Sequence, residues 1–109
     1  MSSVRVSYPK YSRESLLAAL RARLPRLAER LPLARVVLFG SWAAGRQTAA
    51  SDVDLLVVYR GAARDDAFRL VKTVLAIPGV EPHLYTEDDA AKMEERLARM
   101  TAGAIILYP

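Results

Sequence analysis

The chain has 109 residues, of which 52% are hydrophobic and 26% charged, and a formal net charge of +4. This length predicts one domain with a single core. Cysteine is absent, which excludes disulfides and thiolate chemistry. No apolar run is as long as the about 20 residues that a membrane-spanning helix needs. The first residues lack the apolar stretch of a signal peptide. We therefore expect a cytoplasmic protein that does not bind membranes.

The positive charge comes from thirteen Arg and three Lys against twelve acids. These basic residues are spread along the chain and form no block of like charge. Segments that bind nucleic acid usually concentrate their basic residues on one stretch or one face. We expect the basic side chains to lie on solvated helix faces, and we expect no direct contact with nucleic acid.

The N-terminal third predicts a helix after a short polar stretch. Residues 1–11 contain Pro9 and are predicted to be an extended lead-in. Pro25 removes one backbone hydrogen bond from the helix that follows, so we expect a kink near Leu24 or a split in two. The helix itself is indicated by leucines at spacings of three and four, namely Leu16, Leu17, Leu20, Leu24, Leu27 and Leu31.

Two apolar runs separated by a loop form the centre of the sequence. The first, 36–39, ends in Gly40-Ser41 and a short helix-compatible segment that closes at Gly45. Small and polar residues, 46–51, lead to the second run, 53–59. The unit is predicted to be a strand, a Gly-Ser turn, one helical turn, a loop and a second strand.

Two carboxylates stand at the start of the second strand. Side chains two positions apart in a strand point to the same face, so Asp52 and Asp54 should project together beside apolar neighbours. Two carboxylates held close together repel each other, and a bound cation relieves this repulsion. An all-oxygen cluster on a rigid strand suits Mg²⁺ or Mn²⁺. The sequence therefore predicts a metal site on these two acids.

Gly40 and Ser41 supply the matching site for phosphate. A helix that opens after Gly40 directs free backbone N–H groups toward an anion beside it, and glycine lets the backbone approach a bulky group. Ser41 adds a hydroxyl donor. Trp42 comes next, and we expect it to cover the core rather than to flank a nucleotide base.

The C-terminal half alternates helices and strands, which predicts an α/β layer structure. The predicted elements are a helix that begins near Asp65-Asp66 and stops at Pro78-Gly79, a strand over 80–85, a helix from Thr86 to about Ala102, and a strand over 104–108.

Gly40-Ser41, Gly45 and the Asp-x-Asp pair of Asp52 and Asp54 resemble the signature of the DNA polymerase β-like nucleotidyltransferase superfamily, in particular its minimal nucleotidyltransferase (MNT) branch. The motif covers about a quarter of the chain, and the other elements fit the family's order by type. The resemblance implies an α/β (α+β) fold, with a small mixed β-sheet flanked by helices. It also implies one nucleotidyltransferase domain over residues 1–109.

The resemblance also implies a third carboxylate, which two-metal phosphoryl chemistry uses to hold its cations. Glu81 is the candidate, because it lies on the predicted strand where the family places this acid. Here Glu81-Pro82-His83 replaces the more usual Asp-containing strand, and Pro82 indicates an edge or bulged strand. Either Glu81 binds metal or deprotonates the attacking hydroxyl, or His83, on the same strand face, is the third member of the site.

The activity that the resemblance implies is transfer of a nucleotidyl group from ATP, with Mg²⁺ or Mn²⁺ as cofactor. Asp52, Asp54 and Glu81 would be the catalytic and metal-binding residues, and Gly40 and Ser41 would bind the nucleotide phosphates. Small MNT proteins often act as antitoxins of HEPN-type ribonucleases. The expected reaction is therefore the transfer of AMP onto a tyrosine of a HEPN-domain toxin partner.

Two alternatives stay open. The protein could be a non-catalytic nucleotide-binding antitoxin that acts by contact, or a transferase for a nucleic-acid end or a small molecule that uses a separate acceptor-binding subunit. The apolar segment 105–108 would offer backbone groups and apolar area to another chain if it lay at a sheet edge. We therefore expect self-association or a stable hetero-complex.

Overall fold

The computed structural model describes residues 11–109, so the lead-in predicted for 1–11 lies outside the described residues except for Tyr11. The two central strands begin and end close to the positions that the apolar runs predicted. The elements in chain order are α1 (Arg13–Ala28), β1 (Leu33–Phe39), α2 (Ser41–Ala44), β2 (Val53–Tyr59), α3 (Ala67–Leu75), β3 (Val80–Thr86), α4 (Glu87–Lys92), α5 (Glu94–Met100) and β4 (Ile105–Tyr108).

The strands form one four-stranded sheet in the order β3-β2-β1-β4. β1 is antiparallel to both β2 and β4, whereas β2 is parallel to β3. The predicted fold class, a small mixed sheet flanked by helices, is confirmed. Pro82 lies on β3 at one edge of the sheet, where a missing N–H is tolerated because only one side of the strand is paired within the sheet.

Helices α1 and α3 cover one face of the sheet. The leucine stripe of α1 is buried on this face through Leu16, Leu20, Leu24 and Leu27. Burying a leucine side chain contributes about 1.5–3 kcal/mol, so this stripe is a large part of what holds the helix to the sheet. Ser12 caps the helix start, since its hydroxyl oxygen accepts a hydrogen bond from the Ser15 backbone N–H at 3.1 Å.

Pro25 does not split α1, which continues through it to Ala28. The proline lies three positions before the last helical residue and is exposed to solvent. Its missing N–H leaves a single helical carbonyl, that of Arg21, without its usual partner. One lost hydrogen bond near a helix end is offset by the buried leucines on the other side of the helix.

A smaller apolar cluster lies on the opposite face of the sheet, under α5. Leu97 is 1% exposed and packs with Val37 and Leu56. The predicted single helix over this region is wrong, because the chain breaks at Met93 and forms α4 and α5. Met93 donates to the carbonyl of Ala90 at 3.1 Å, a tight i to i−3 bond that ends α4. Met93 and Leu97 both pack in this cluster.

Two arginines tie the ends of helices to neighbouring segments. Arg23 of α1 donates from Nη1 to the carbonyl of Leu75, the last residue of α3, at 2.7 Å. Arg64 donates from Nη1 to the carbonyl of Arg30 at 2.9 Å and pairs with Asp66. The hydrogen bond from Arg64 lowers the pKa of Asp66, and the same bond raises that of Arg64. These contacts fasten the helical layer to the loop after β2.

β4 lies at the edge of the sheet opposite β3, as the edge-strand expectation required. Ile106 on this strand is 65% exposed, whereas Leu107 is buried. Within residues 11–109, no helix has the length and apolar character needed to span a bilayer.

Candidate functional site

Three adjacent strands bring the predicted site residues to one end of the sheet. Phe39, the last residue of β1, pairs with Asp54 near the start of β2, and Asp54 in turn lies beside Glu81 on β3. Paired residues on neighbouring strands direct their side chains to the same face. The site residues are therefore assembled by sheet register from positions up to 42 apart in sequence.

Gly40 and Asp54 are in direct contact across this end of the sheet. Gly40 has a φ of +77°, a backbone conformation that residues other than glycine rarely adopt. A β-carbon at this position would collide with Oδ2 of Asp54 and would lie 3.3 Å from its carboxyl carbon. Glycine thus suits this position for two reasons: its backbone conformation, and the fact that a β-carbon would force the Asp54 carboxylate to shift.

The helical turn α2 follows Gly40, as predicted. It comprises only Ser41–Ala44 and ends at Gly45, which is left-handed with a φ of +75°. Trp42 is 4% exposed and belongs to the larger core cluster, so the expectation that it covers the core is confirmed. Ser41 is half-buried and lies between Gly40 and this anchored tryptophan.

The loop before β2 has a defined conformation that leads to Asp52. The backbone N–H of Thr48 donates to Oγ of Ser51 at 2.9 Å, and the Ser51 N–H donates back to the carbonyl of Thr48 at 3.1 Å. Val53 donates its N–H to the carbonyl of Gly79 at 2.8 Å, which joins the loop to β3. Asp52 lies between these two fixed points and is exposed to solvent.

His83 is the side chain that contacts Asp54 in this arrangement. Its Nε2 lies 3.4 Å from Oδ1 of Asp54, and its ring packs edge-on against Phe39 with centroids 5.0 Å apart. The side chains of His83 and Asp54 are 35% and 27% exposed, so the pair is accessible to a ligand. Phe39 was not identified as a site residue from the sequence, because an apolar residue at a strand end carries no signal of its role.

Glu81 lies on the same strand face as His83 and is exposed. Within residues 11–109, no group of three or more His, Asp and Glu side chains comes close enough together to hold a metal ion. Sheet register places Glu81 beside Asp54. The side chain that contacts the Asp54 carboxylate, however, is that of His83.

The donors at this end of the sheet have chemistry that fits a divalent cation. Asp54 offers two carboxylate oxygens beside an imidazole nitrogen, and Asp52 adds a carboxylate two positions earlier. In the described part of the chain, neither acid forms an ion pair with Lys or Arg. Their negative charge is available for a cation.

A separate groove of about 500 Å³ lies between the α4–α5 region and the other end of the sheet. Its lining includes Arg35, Val58 and Leu97, together with the acids Glu87 and Glu94. Two acids in this lining repel a triphosphate. The chemistry of nucleotide binding therefore favours the Gly40–Asp54 end of the sheet over this groove.

A mixed sheet with a Gly-Ser turn after one strand and acids on the next is what the resemblance to polymerase β-like nucleotidyltransferases implies. A model of the nucleotidyltransferase domain family matches residues 20–103. The chain therefore belongs to this family, and the recognition made from the motif is confirmed. A search of curated proteins found no match.

Two solved structures are similar to this chain. One is a candidate nucleotidyltransferase from Sulfolobus solfataricus, with 21% identity and a TM-score of 0.59, covering 86% of this chain and 80% of that one. The other is a mutant of the toxin–antitoxin complex MntA–HpeT, with 18% identity and a TM-score of 0.53, covering 90% of this chain and 73% of that one. At these identities the similarity shows a shared fold. It is consistent with the MNT branch.

The contact between Gly40 and Asp54 can be tested by the stability of glycine variants. Gly40→Ala should lower the free energy of unfolding by more than Gly45→Ala, because a β-carbon at Gly45 meets no atom within 4 Å. Gly45→Ala should cost about 1–2 kcal/mol, the strain of a left-handed residue alone. Urea denaturation of both variants measures the difference.

Removing the carboxylate provides the control for this test. In an Asp54→Ala background the collision is absent, so Gly40→Ala should then cost at least about 1 kcal/mol less than in the wild type. Additive effects of the two substitutions would show that the glycine and the carboxylate do not meet.

Proposed function

We propose that this protein is a metal-dependent nucleotidyltransferase that transfers AMP from ATP to a protein acceptor. The observation that carries this proposal is the Asp54 carboxylate held against Gly40, at the point where β1 ends in a Gly-Ser turn. It is supported by membership of the nucleotidyltransferase domain family. We assign nucleotide binding to Gly40 and Ser41 and cation binding to Asp52 and Asp54.

Each residue has a role in this reaction that follows from its position. Gly40 lets the triphosphate approach the backbone, and the Ser41 hydroxyl donates a hydrogen bond to a phosphate oxygen. Asp52 and Asp54 would hold Mg²⁺ or Mn²⁺, which supplies positive charge to the phosphates when bound. The acceptor hydroxyl forms a bond to the α-phosphorus, the bond to the β-phosphate breaks, and pyrophosphate leaves.

Glu81 and His83 are the candidates for proton transfer from the acceptor and for additional binding of the cation. The exposed Glu81 carboxylate, next to Asp54 in register, is available to take the proton from the acceptor hydroxyl or to bind a cation. His83 contacts Asp54 directly and packs on Phe39, so it holds the carboxylate in place or adds a nitrogen ligand.

Metal dependence is the first test of the site. Asp52→Asn and Asp54→Asn should each weaken ATP binding in the presence of Mg²⁺ or Mn²⁺, because the phosphate charge loses its counter-ions. Isothermal titration calorimetry with and without the metal measures this. Asp65→Asn, at an exposed acid before α3, is the matched control and should bind ATP as the wild type does.

The same titration separates the two candidates for the third member. If His83 is a ligand, His83→Ala should weaken the binding of Mn²⁺ alone, whereas Glu81→Gln should leave it unchanged; the reverse result assigns the role to Glu81. ATP affinity that is equal with and without metal would rule out the site assignment.

We propose a toxin as the protein acceptor. The similar MntA–HpeT structure is a toxin–antitoxin complex, and its mutant carries two aspartate-to-glutamate changes at positions two apart, the spacing of Asp52 and Asp54. HEPN-type ribonucleases are the partners that the MNT resemblance implies. A tyrosine hydroxyl of such a toxin is the proposed acceptor.

A second candidate function is inhibition of the toxin by contact alone. The observation that favours it is that no three potential ligands come together within the described residues. A protein with this fold could bind nucleotide and toxin without transferring AMP.

Mass spectrometry of the partner distinguishes catalysis from contact. After incubation with ATP, Mg²⁺ and this protein, a HEPN toxin should gain the mass of at least one AMP. Ser41→Ala should slow this reaction about 10- to 1000-fold, the range for losing one transition-state donor. A toxin that is inhibited but keeps its mass would support the contact-only antitoxin instead.

The exposed edge strand β4 is the proposed partner surface. Within residues 11–109 no strand pairs with its outer edge, and Ile106 is the most exposed large apolar side chain of the same range. Unpaired strand edges with apolar side chains are sites where another chain adds to a sheet.

An Ile106→Arg variant tests this surface. It should lose self-association in light scattering, or co-purification with the toxin, because a charge replaces apolar contact area. Phe68→Arg is the matched control, since Phe68 is also exposed, at 46%, but lies on α3. If the wild-type protein is a monomer of 12.0 kDa and does not bind the toxin, β4 is not a partner surface.

A further inference from the structure

Arg13, in the first turn of α1, contacts the helical turn of the site. Its Nε donates to the carbonyl of Trp42 at 2.9 Å, and its Nη2 donates to the carbonyl of Ala43 at 2.9 Å. One guanidinium group thus binds the carbonyls of the two middle residues of α2. These residues are 29 and 30 positions away in sequence, so no local pattern announces the contact.

The turn α2 is poorly stabilised by its own backbone. It has four residues, and it is bounded by Gly40 and Gly45, both of which have positive φ. A single helical turn does not repay the entropy of its formation, and flanking glycines leave many conformations open. Its position must be fixed by tertiary contacts.

Two contacts fix α2 on the rest of the protein. The indole of Trp42 is buried in the larger core cluster and holds one side of the turn. Arg13 binds the carbonyls of Trp42 and Ala43, which have no partner within so short a helix. The planar guanidinium forms both bonds in one fixed orientation, which a single donor could not do.

We propose that Arg13 is a positioning residue for the phosphate-binding segment Gly40-Ser41. It fixes the two residues that follow Ser41, and thereby sets where the Ser41 hydroxyl lies relative to the Asp54 carboxylate. Nothing in this role requires Arg13 to touch the nucleotide. The part of the inference that concerns nucleotide affinity rests on the proposed function, whereas the fixing of α2 does not.

Arg23 provides a matched control within the same helix. It also lies on α1 and also donates to carbonyls at the end of a helix, those of Leu75 and Ala76, at 2.7 and 3.4 Å. Those carbonyls belong to the end of α3, which contributes no residue to the proposed site. Loss of either arginine removes hydrogen bonds from a guanidinium group to two helical carbonyls. Only the carbonyls that Arg13 binds belong to the turn that contains Ser41.

The test compares Arg13→Ala, Arg13→Lys and Arg23→Ala by two measurements. The first is the dissociation constant for ATP with Mg²⁺, which should rise about tenfold in Arg13→Ala, corresponding to about 1.4 kcal/mol, and should stay within about twofold in Arg23→Ala. Arg13→Lys can keep one of the two bonds, so its affinity should be intermediate, and this variant preserves the charge if the alanine variant fails to fold.

The second measurement does not depend on nucleotide. Amide hydrogen exchange of Ala44 and Arg46, whose N–H groups bond to Gly40 and Ser41 carbonyls, should become faster in the Arg13 variants and not in Arg23→Ala. Exchange in the Arg13 variants that is as slow as in the wild type would overturn the proposal. If the wild type binds ATP, an Arg13→Ala variant with the same ATP affinity would also overturn it. If the wild type binds no ATP, the proposed function fails, and exchange alone decides whether Arg13 positions the turn.

Discussion

Gly40 leaves the space that the Asp54 carboxylate occupies, and the rest of the site is arranged around that contact. A β-carbon would displace the carboxylate, while the positive φ of Gly40 turns the chain from β1 into α2 beside it. The same residue therefore ends a strand, starts the segment assigned to phosphate and accommodates an acid from the neighbouring strand. Substitution at this position would change all three at once.

Sheet order explains why so small a chain can assemble this site. β1 and β2 are central, so their ends are held by strands on both sides, and β3 brings His83 to Asp54 from the adjacent edge. Helices α1 and α3 on one face and α5 on the other bury the apolar residues of the central strands on both sides of the sheet. The acid-bearing end of β2 is thus carried on a rigid support, whereas α2 depends on contacts made by distant residues.

The sequence predicted what depends on local pattern and missed what depends on distant contacts. The Gly-Ser turn, the one-turn helix and the acid-bearing strand follow from apolar runs and glycines, and all of them occur. The break at Met93 was missed because no proline or glycine marks it. The contacts of His83 with Asp54 and of Arg13 with α2 depend on register and on residues far apart, which no spacing reveals.

The central claim is that nucleotide and cation bind where Gly40 meets Asp54. A crystal structure with Mn²⁺ and a non-hydrolysable ATP analogue tests it most directly, because manganese can be located by its anomalous scattering. The account predicts a manganese peak at bonding distance from the Asp54 carboxylate, with the phosphates against Gly40 and Ser41. An analogue bound instead in the groove beside Glu87 and Glu94, with no manganese at Asp54, would contradict it.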